Sequence, residues 1–334
     1  KRAHLFDVKD ALLYIPSTPL GSRGTGSQGH SLWSAKNPAF GATFSLYLND
    51  VGQSLKSKRQ KKEKELEKNG EDVFYPSFEE IRAEDLEEKA HLIWKIFDAS
   101  GNEIRRMKSS PSKGIVRQTW NLRTNNTNPI GSGGSGFLVT PGVYAVSVIL
   151  IKEGKTELLI DKKKFTVKGL NNQTLIAKDP EELKAFRAEV AEINRQVSGT
   201  EKVMKETKEK VNLIEKALLG YPNTDLDLME TIRSMKVTYK DLEVMMWGDN
   251  ARSSRDFETV PSISGRLGMV GYQLYQNTTG VTNTHRENKN IAEKQYIELK
   301  TKLNQIISYL EAVEKKLEGI IPYTKAKGGD WKED

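Results

Sequence analysis

The stretch Thr140-Pro-Gly-Val-Tyr-Ala-Val-Ser-Val-Ile-Leu-Ile-Lys-Glu-Gly154 decides how the first half of this 334-residue chain is read. Pro141-Gly142 has the Pro-then-Gly order of a type II turn, Val143 to Ile151 is rich in β-branched residues, and Glu153-Gly154 is a second turn signal. Leu158 to Val167 then reads as the returning strand. Toward the N-terminus, Gly114 to Trp120 is another strand. His91 to Phe97 and Glu103 to Met107 flank Asp98-Ala-Ser-Gly101-Asn, a hairpin turn in which Gly101 can take positive φ. Phe44, Leu46 and Leu48 alternate with smaller or polar neighbours, as in a half-buried strand. Short strands at this spacing predict an antiparallel β-sandwich over residues 40–169.

Two segments stand outside that pattern. Residues 1–39 read as an extended linker, with one short strand at Ala11 to Ile15 and a Gly-rich loop at Gly21 to Gly29. Between the strands, about 53–90, lies a helical hairpin. Gln53 to Asn69 is a Lys/Glu-rich helix stopped at Asn69-Gly70, and Ser77-Phe-Glu-Glu80 is a capping box that opens a second helix to about Ala90.

After Gly169 the apolar period becomes helical. Asp179-Pro180 starts a helix lined by Leu183, Phe186, Val190, Ile193 and Val197, and Gly199 is expected to break it. Val203, Val211, Ile214 and Leu218 mark a second helix, and Leu228 to Met246 a third. A short one follows Pro261, and the clearest stripe runs from Leu299 to Leu317. The expectation is therefore an α+β chain of two domains. An Ig-like sandwich carrying a helical insertion is followed by an antiparallel four-helix bundle over 170–320, with a polar tail at 321–334.

Composition excludes several chemistries. The chain has no Cys, which removes disulfides, thiolate zinc sites and thiol catalysis, and its four His are scattered. No apolar run approaches the roughly 20 residues that span a bilayer. Residues 1–169 hold 27 Lys/Arg against 19 Asp/Glu, and residues 170–334 hold 25 against 26, so the net charge of +7 belongs to the first half. Gly24-Thr-Gly-Ser-Gln-Gly29 matches GxGxxG, with Asp50 downstream. However, Pro16 and Pro19 precede it and Asn37-Pro38 follows, so the strand-to-helix context of a dinucleotide site is missing. Gly131 to Gly136 lacks the Lys-Ser/Thr of a phosphate loop. Carboxylate pairs such as Glu79/Glu80 and Glu181/Glu182 are neighbours on a helix and do not face one another across a cleft. No catalytic residue, metal ligand or cofactor is expected.

Two surfaces remain as candidates. One is the basic run containing Lys58, Arg59, Lys61 and Lys62, read as a solvated helix face with contact to a protein or polyanion as the functional alternative. The other is Trp247 with Arg252 and Arg255, where Trp247 is read as capping the helical core, with a docking or ligand surface made by Trp247 and the two arginines together as the functional alternative.

The order Trp94-Lys-Ile-Phe-Asp-Ala-Ser-Gly-Asn-Glu-Ile104, Thr119-Trp120-Asn-Leu122, Thr140-Pro-Gly-Val-Tyr-Ala145 and Phe165-Thr-Val167 resembles the immunoglobulin-like domain of flagellar hook-capping proteins and of many secreted bacterial proteins. With the helical half, the chain is similar to the C-terminal part of large bacterial cell-surface proteins whose N-terminal part is a sortilin-type, BNR-repeat β-propeller, often called glycosyl-hydrolase-like. The resemblance implies a secreted, periplasmic or cell-surface location, an upstream propeller as partner and a non-catalytic role. Together with Lys1-Arg2 at the start, it implies a piece of a longer protein. The alternatives are an accessory part of a glycoside-active or glycan-binding enzyme, or polyanion or nucleic-acid binding through residues 56–64.

Overall fold

The computed structural model describes residues 2–16, 35, 37–128, 134–171, 175, 179–222 and 224–318. The chain is α+β and divides into two compact units, Lys1–Asn125 with Phe137–Thr174, and Asn126–Gly136 with Leu175–Asp334. The expected Gly-rich loop at 21–29, the GxGxxG match, much of the loop at 131–136 and the tail at 321–334 lie outside the described residues.

In the first unit, β1 (Ala3–Leu5), β3 (Ala42–Leu48) and β6 (Gly114–Trp120) form a sheet in the order β1-β3-β6. A second sheet has the order β2-β8-β7-β4-β5, from β2 (Ala11–Leu13), β4 (His91–Phe97), β5 (Glu103–Ser109), β7 (Gly142–Lys152) and β8 (Lys155–Gly169). Pairing is antiparallel except between β2 and β8, which run parallel with Ala11 opposite Val167. Among the described residues of the segment expected as a linker, 1–39, that expectation is corrected: Ala3–Leu5 and Ala11–Leu13 are built into the sheets and bury Leu5, Ala11 and Leu13. The short strand expected at Ala11 to Ile15 is present as β2, whereas the three residues of β1 carry too little alternation to be read from sequence, and pairing with β3 makes them a strand.

The strand alternation does its expected work. Every second residue of β3, from Ala42 to Leu48, is buried, and so are Leu92, Trp94 and Ile96 of β4. Both sheets feed one core. Phe44 stacks on Trp94 with ring centroids 5.8 Å apart and meets Phe165 edge-on at 5.3 Å, while Trp120 meets Tyr144 at 5.5 Å. The polar ends of these rings are satisfied: Trp94 Nε1 donates to Ser109 Oγ at 2.8 Å, Trp120 Nε1 to the Arg123 carbonyl at 2.8 Å and Tyr144 Oη to the Thr140 carbonyl at 2.6 Å. Glu153 and Gly154 both have positive φ, +51° and +69°, which gives β7 and β8 a two-residue turn matched to strand twist.

The hairpin comprises α1 (Leu55–Lys68) and α2 (Phe78–Leu86), between β3 and β4. The second unit holds α3 (Pro180–Gly220), α4 (Leu228–Trp247), the single turn α5 (Asn250–Ser253), α6 (Ile263–Tyr275) and α7 (Asn283–Glu318). Here two expectations are corrected. Gly199 does not break a helix: α3 is continuous over 41 residues. A helical Gly costs only about 1 kcal/mol against Ala, and the buried stripe Val190, Ile193, Val197, Met204, Val211, Ile214, Leu218 keeps its register straight through it. Threonines stand at the intervening interface positions. Thr200 bonds Tyr296, and buried Thr207 donates to the Val203 carbonyl.

The expected antiparallel four-helix bundle is therefore replaced by long α3 and α7 with α4 and α6 in tandem beside them. Tyr239 of α4 bonds the Met204 carbonyl and Lys236 pairs with Glu215, while Ser264 of α6 bonds Glu201 and Arg187 bonds the Leu274 carbonyl. Both short helices thus run antiparallel to α3. Arg286–Glu182, Lys289–Glu189 and Lys210–Glu314 set α7 parallel to it. α7 also begins earlier than its apolar stripe, because Tyr296, Ala292 and a buried histidine, His285, extend the packed face into a polar-looking segment.

Candidate interaction surfaces

The inserted hairpin is a pair of helices held by end chemistry. Ser54 caps α1 by accepting from the Ser57 amide at 3.1 Å. At the other end Gly70, φ +74°, permits a Schellman motif, in which its amide donates to the Glu67 carbonyl and that of Glu71 to Leu66. The expected capping box is present in α2: the Ser77 amide donates to Glu80 Oε2 at 2.9 Å, and the Glu80 amide to Ser77 Oγ at 3.3 Å. The Ser77 amide, and then the Ser77 hydroxyl, both donating to Glu80 Oε2, hold the Glu80 carboxyl below the usual carboxylate range. α2 stops at Leu86, short of the expected Ala90, because Glu87 turns extended. Neither helix buries a residue.

What joins the two helices is charge. Arg59 Nε donates to Glu84 Oε1 at 2.6 Å and Nη2 to Glu84 Oε2 at 2.9 Å, a two-point clasp, and Nη1 reaches Glu63 at 2.6 Å. The hydrogen bonds from Arg59 hold the Glu84 carboxyl below its ordinary range, and those carboxylates raise the guanidinium of Arg59. At the hairpin's foot Glu87 accepts from the Leu55 amide at 2.8 Å, and Glu88 accepts from the Gly154 amide at 2.9 Å, pinning it to the β7–β8 turn. The structure therefore divides the basic run. Lys58, Lys61 and Lys62 lie in solvent, whereas Arg59 is turned into the hairpin. The reading of Arg59 as part of a cationic contact surface is corrected on that account. The hairpin as a whole, residues 53–90, carries 9 Lys/Arg against 11 Asp/Glu, so the basic α1 is offset by an acidic partner.

Sequence reading passed over the most exposed part of this element. In Glu71-Asp-Val-Phe-Tyr-Pro-Ser-Phe-Glu-Glu80, which links and opens the helices, Phe74 is 82%, Tyr75 91% and Phe78 79% exposed, with Val73 and Leu86 also in solvent. The available signal was an aromatic run between two helices that lack an apolar stripe, so that no intramolecular face exists to cover it.

The second surface joins α4 to α6. Trp247 ends α4 and Gly248 turns the chain; Asp249 caps the single turn by accepting from the amides of Ala251 and Arg252. Met246, not Trp247, fills the core: Met246 is fully buried, while Trp247 is 42% exposed and donates to Glu201 Oε1 at 3.1 Å. That corrects the expectation of Trp247 as a core cap. Met and Trp are adjacent, and a helix turns 100° per residue, so only one can face inward. Ser264 donates to the same Glu201 oxygen at 3.2 Å, tying the ends of α4 and α6 to α3. Arg252 faces Asp249 at 3.7 Å and Arg255 donates to the Ala251 carbonyl at 2.6 Å. With Phe257, Glu258 and Ala251 these two arginines line a shallow cleft of about 510 Å³. The structure thus brings Arg252 and Arg255 together and leaves Trp247 outside their cleft.

Residues weighed for chemistry have local structural duties. Asp50 accepts from the Gly52 amide at 3.0 Å, which lowers its carboxyl pKa, and Glu182 pairs with Arg286. Among the described residues no group of His, Asp and Glu is placed to hold a metal ion, and no helix is long and apolar enough to cross a membrane. Comparison with protein-family models, with curated proteins and with solved structures gave no match to this chain.

Proposed function

We propose that this chain is a non-catalytic structural and protein-interaction module of a secreted or surface-exposed bacterial protein, its first unit an Ig-like sandwich with an inserted docking hairpin. The Ig-like assignment is supported by the distribution of strands 1, 3 and 6 to one sheet and 2, 8, 7, 4 and 5 to the other. It is supported too by Tyr144, near the start of β7, whose hydroxyl bonds back to the Thr140 carbonyl in the manner of a tyrosine corner. The observation that carries the docking role is the exposure of Phe74, Tyr75 and Phe78 on an element that gives nothing to the core. Aromatic side chains offer large contact area at low entropic cost, which is why they concentrate at interfaces.

The test is substitution of the tip in the full protein, Phe74→Ser with Tyr75→Ser, followed by cross-linking mass spectrometry of its neighbours on the cell surface. Loss of a neighbour with folding intact supports the reading; an unchanged neighbour set overturns it. Turnover of a glycoside or peptide by this chain alone would sink the non-catalytic assignment. A second reading, glycan or carboxylate binding, is favoured by the cleft of Arg252, Arg255 and Phe257. Glycan-array binding that disappears in Arg252→Ala and Phe257→Ala would support it.

A further inference from the structure

The first unit carries a second unusual surface, on the outward face of the three-stranded sheet. In that sheet His4 lies opposite Tyr47, and Tyr47 opposite Ile115, so one row of side chains crosses all three strands. His4, Tyr47 and Ile115 are exposed, and Phe6, whose ring meets that of His4 edge-on at 5.1 Å, extends the row along β1. Strand spacing makes the row about 10 Å wide. Its rim is cationic. Arg117 stands in the neighbouring row opposite Ser45, exposed and without an ion-pair partner among the described residues, and Lys113 lies just before β6. The rest of the first half shares that sign: outside the hairpin, residues 1–52 and 91–169 hold 18 Lys/Arg against 8 Asp/Glu.

The hairpin tip has the opposite character. Its aromatics are flanked by Glu71, Asp72 and Glu79, and Phe74 to Phe78 can extend over no more than about 14 Å, a span comparable to the row. Within one chain both surfaces are uncovered at the same time. We infer that the partner of the tip is a second copy of this chain, the aromatics of one hairpin seating on the Phe6, Tyr47 and Ile115 row of the other's outer sheet with acidic flanks toward Arg117 and Lys113. The inference rests on the docking role argued above and names the partner for it. The contact is heterologous: two related by a two-fold axis close a dimer, and otherwise copies add in a chain or ring. Three aromatics bury about 150–250 Å² each, which places the contact among small, reversible interfaces.

Sedimentation velocity on the full chain across the micromolar range, with a photo-cross-linking residue at position 75, tests this. The expected result is concentration-dependent association that weakens with salt, with cross-links to residues 3–6, 43–47 or 113–119 of another copy. Phe74→Ser with Phe78→Ser, and separately Tyr47→Ser with Ile115→Ser, weaken association about 10-fold or more. All four positions are exposed, and circular dichroism verifies folding. Glu79→Lys and Arg117→Glu each weaken association alone, and an equimolar mixture of those two variants recovers it. A chain that stays monomeric, or that associates equally well without the tip, overturns the inference. Cross-links from position 75 only to a different protein of the source cell overturn the second-copy assignment and leave the docking role standing. No cross-link to any protein overturns both.

Discussion

Helices α1 and α3 have much the same surface chemistry, rich in Lys and Glu, yet they are different physical objects. α3 buries eleven residues along one stripe, from Leu183 to Leu218, whereas α1 buries none. α3 is a helix because its face is covered by α4, α6 and α7. α1 is a helix because both ends are capped and one arginine is clasped by Glu84 and Glu63. A helix of 14 residues is marginal alone, so the hairpin is the separable element and α3 the frame. This contrast underlies the functional proposal: the hairpin's exposed aromatics stabilise nothing in this chain.

The sharpest way to break the contrast is a matched truncation. Ile214→Ala in α3 removes a fully buried side chain and is expected to cost about 2–5 kcal/mol, read from urea unfolding of the helical unit. A cost below about 1 kcal/mol would show that the stripe is not the frame. At the N-terminus of α7, His285 is buried, with Nδ1 accepting from the Thr282 amide at 3.1 Å and Nε2 2.9 Å from Gln273 Oε1. Burial, and then the Arg286 charge, lower its pKa from 6.5. Its neutral form therefore contributes stability that is present above the unfolded-state value and lost as pH falls through the folded one. Unfolding midpoints should drop on acidification below about 6.5, and His285→Gln should flatten that part of the profile. An unchanged profile in the variant would remove His285 from the account.

Gly199→Ala sharpens the comparison from the other side. Space around Gly199 is open, so the helix should gain about 0.5–1 kcal/mol; a loss would mean that α3 needs a weak point there. The smallest effect is expected in α1, where Leu66→Ala should lie within about 0.5 kcal/mol of neutral. Hydrogen exchange gives the same ordering without mutation, with α1 and α2 amides exchanging by local opening and the buried turns of α3 only near global unfolding. Slow exchange throughout α1 would contradict the picture.

Much of this was legible residue by residue. Alternation placed β3, the turn at Asp98 to Asn102 placed β4, Ser77 and Glu80 announced α2, and Asn69-Gly70 announced the end of α1. What failed did so for identifiable reasons. Thr200 and Thr207 masked the continuity of α3, and Gly199 looked like a break because local propensity was read without the neighbours that outweigh it. β1, three residues long, is too short to show a period. Of the surface candidates, Arg252 and Arg255 line one cleft, but nothing in the spacing of Lys58 to Lys62 reveals that Arg59 alone turns inward to a glutamate 25 residues away.

The sequence by itself determined the division into a strand-rich and a helix-rich half, the confinement of positive charge to the first, and the position of the insertion, because periodicity, caps and net charge are local properties. Only the tertiary structure decided which strands share a sheet, that α4 and α6 run in tandem along α3, and which side chains are left uncovered. Those depend on contacts between residues far apart in the chain. An aromatic such as Phe74 is apolar in either setting, and only the absence of a neighbour distinguishes it from Phe44.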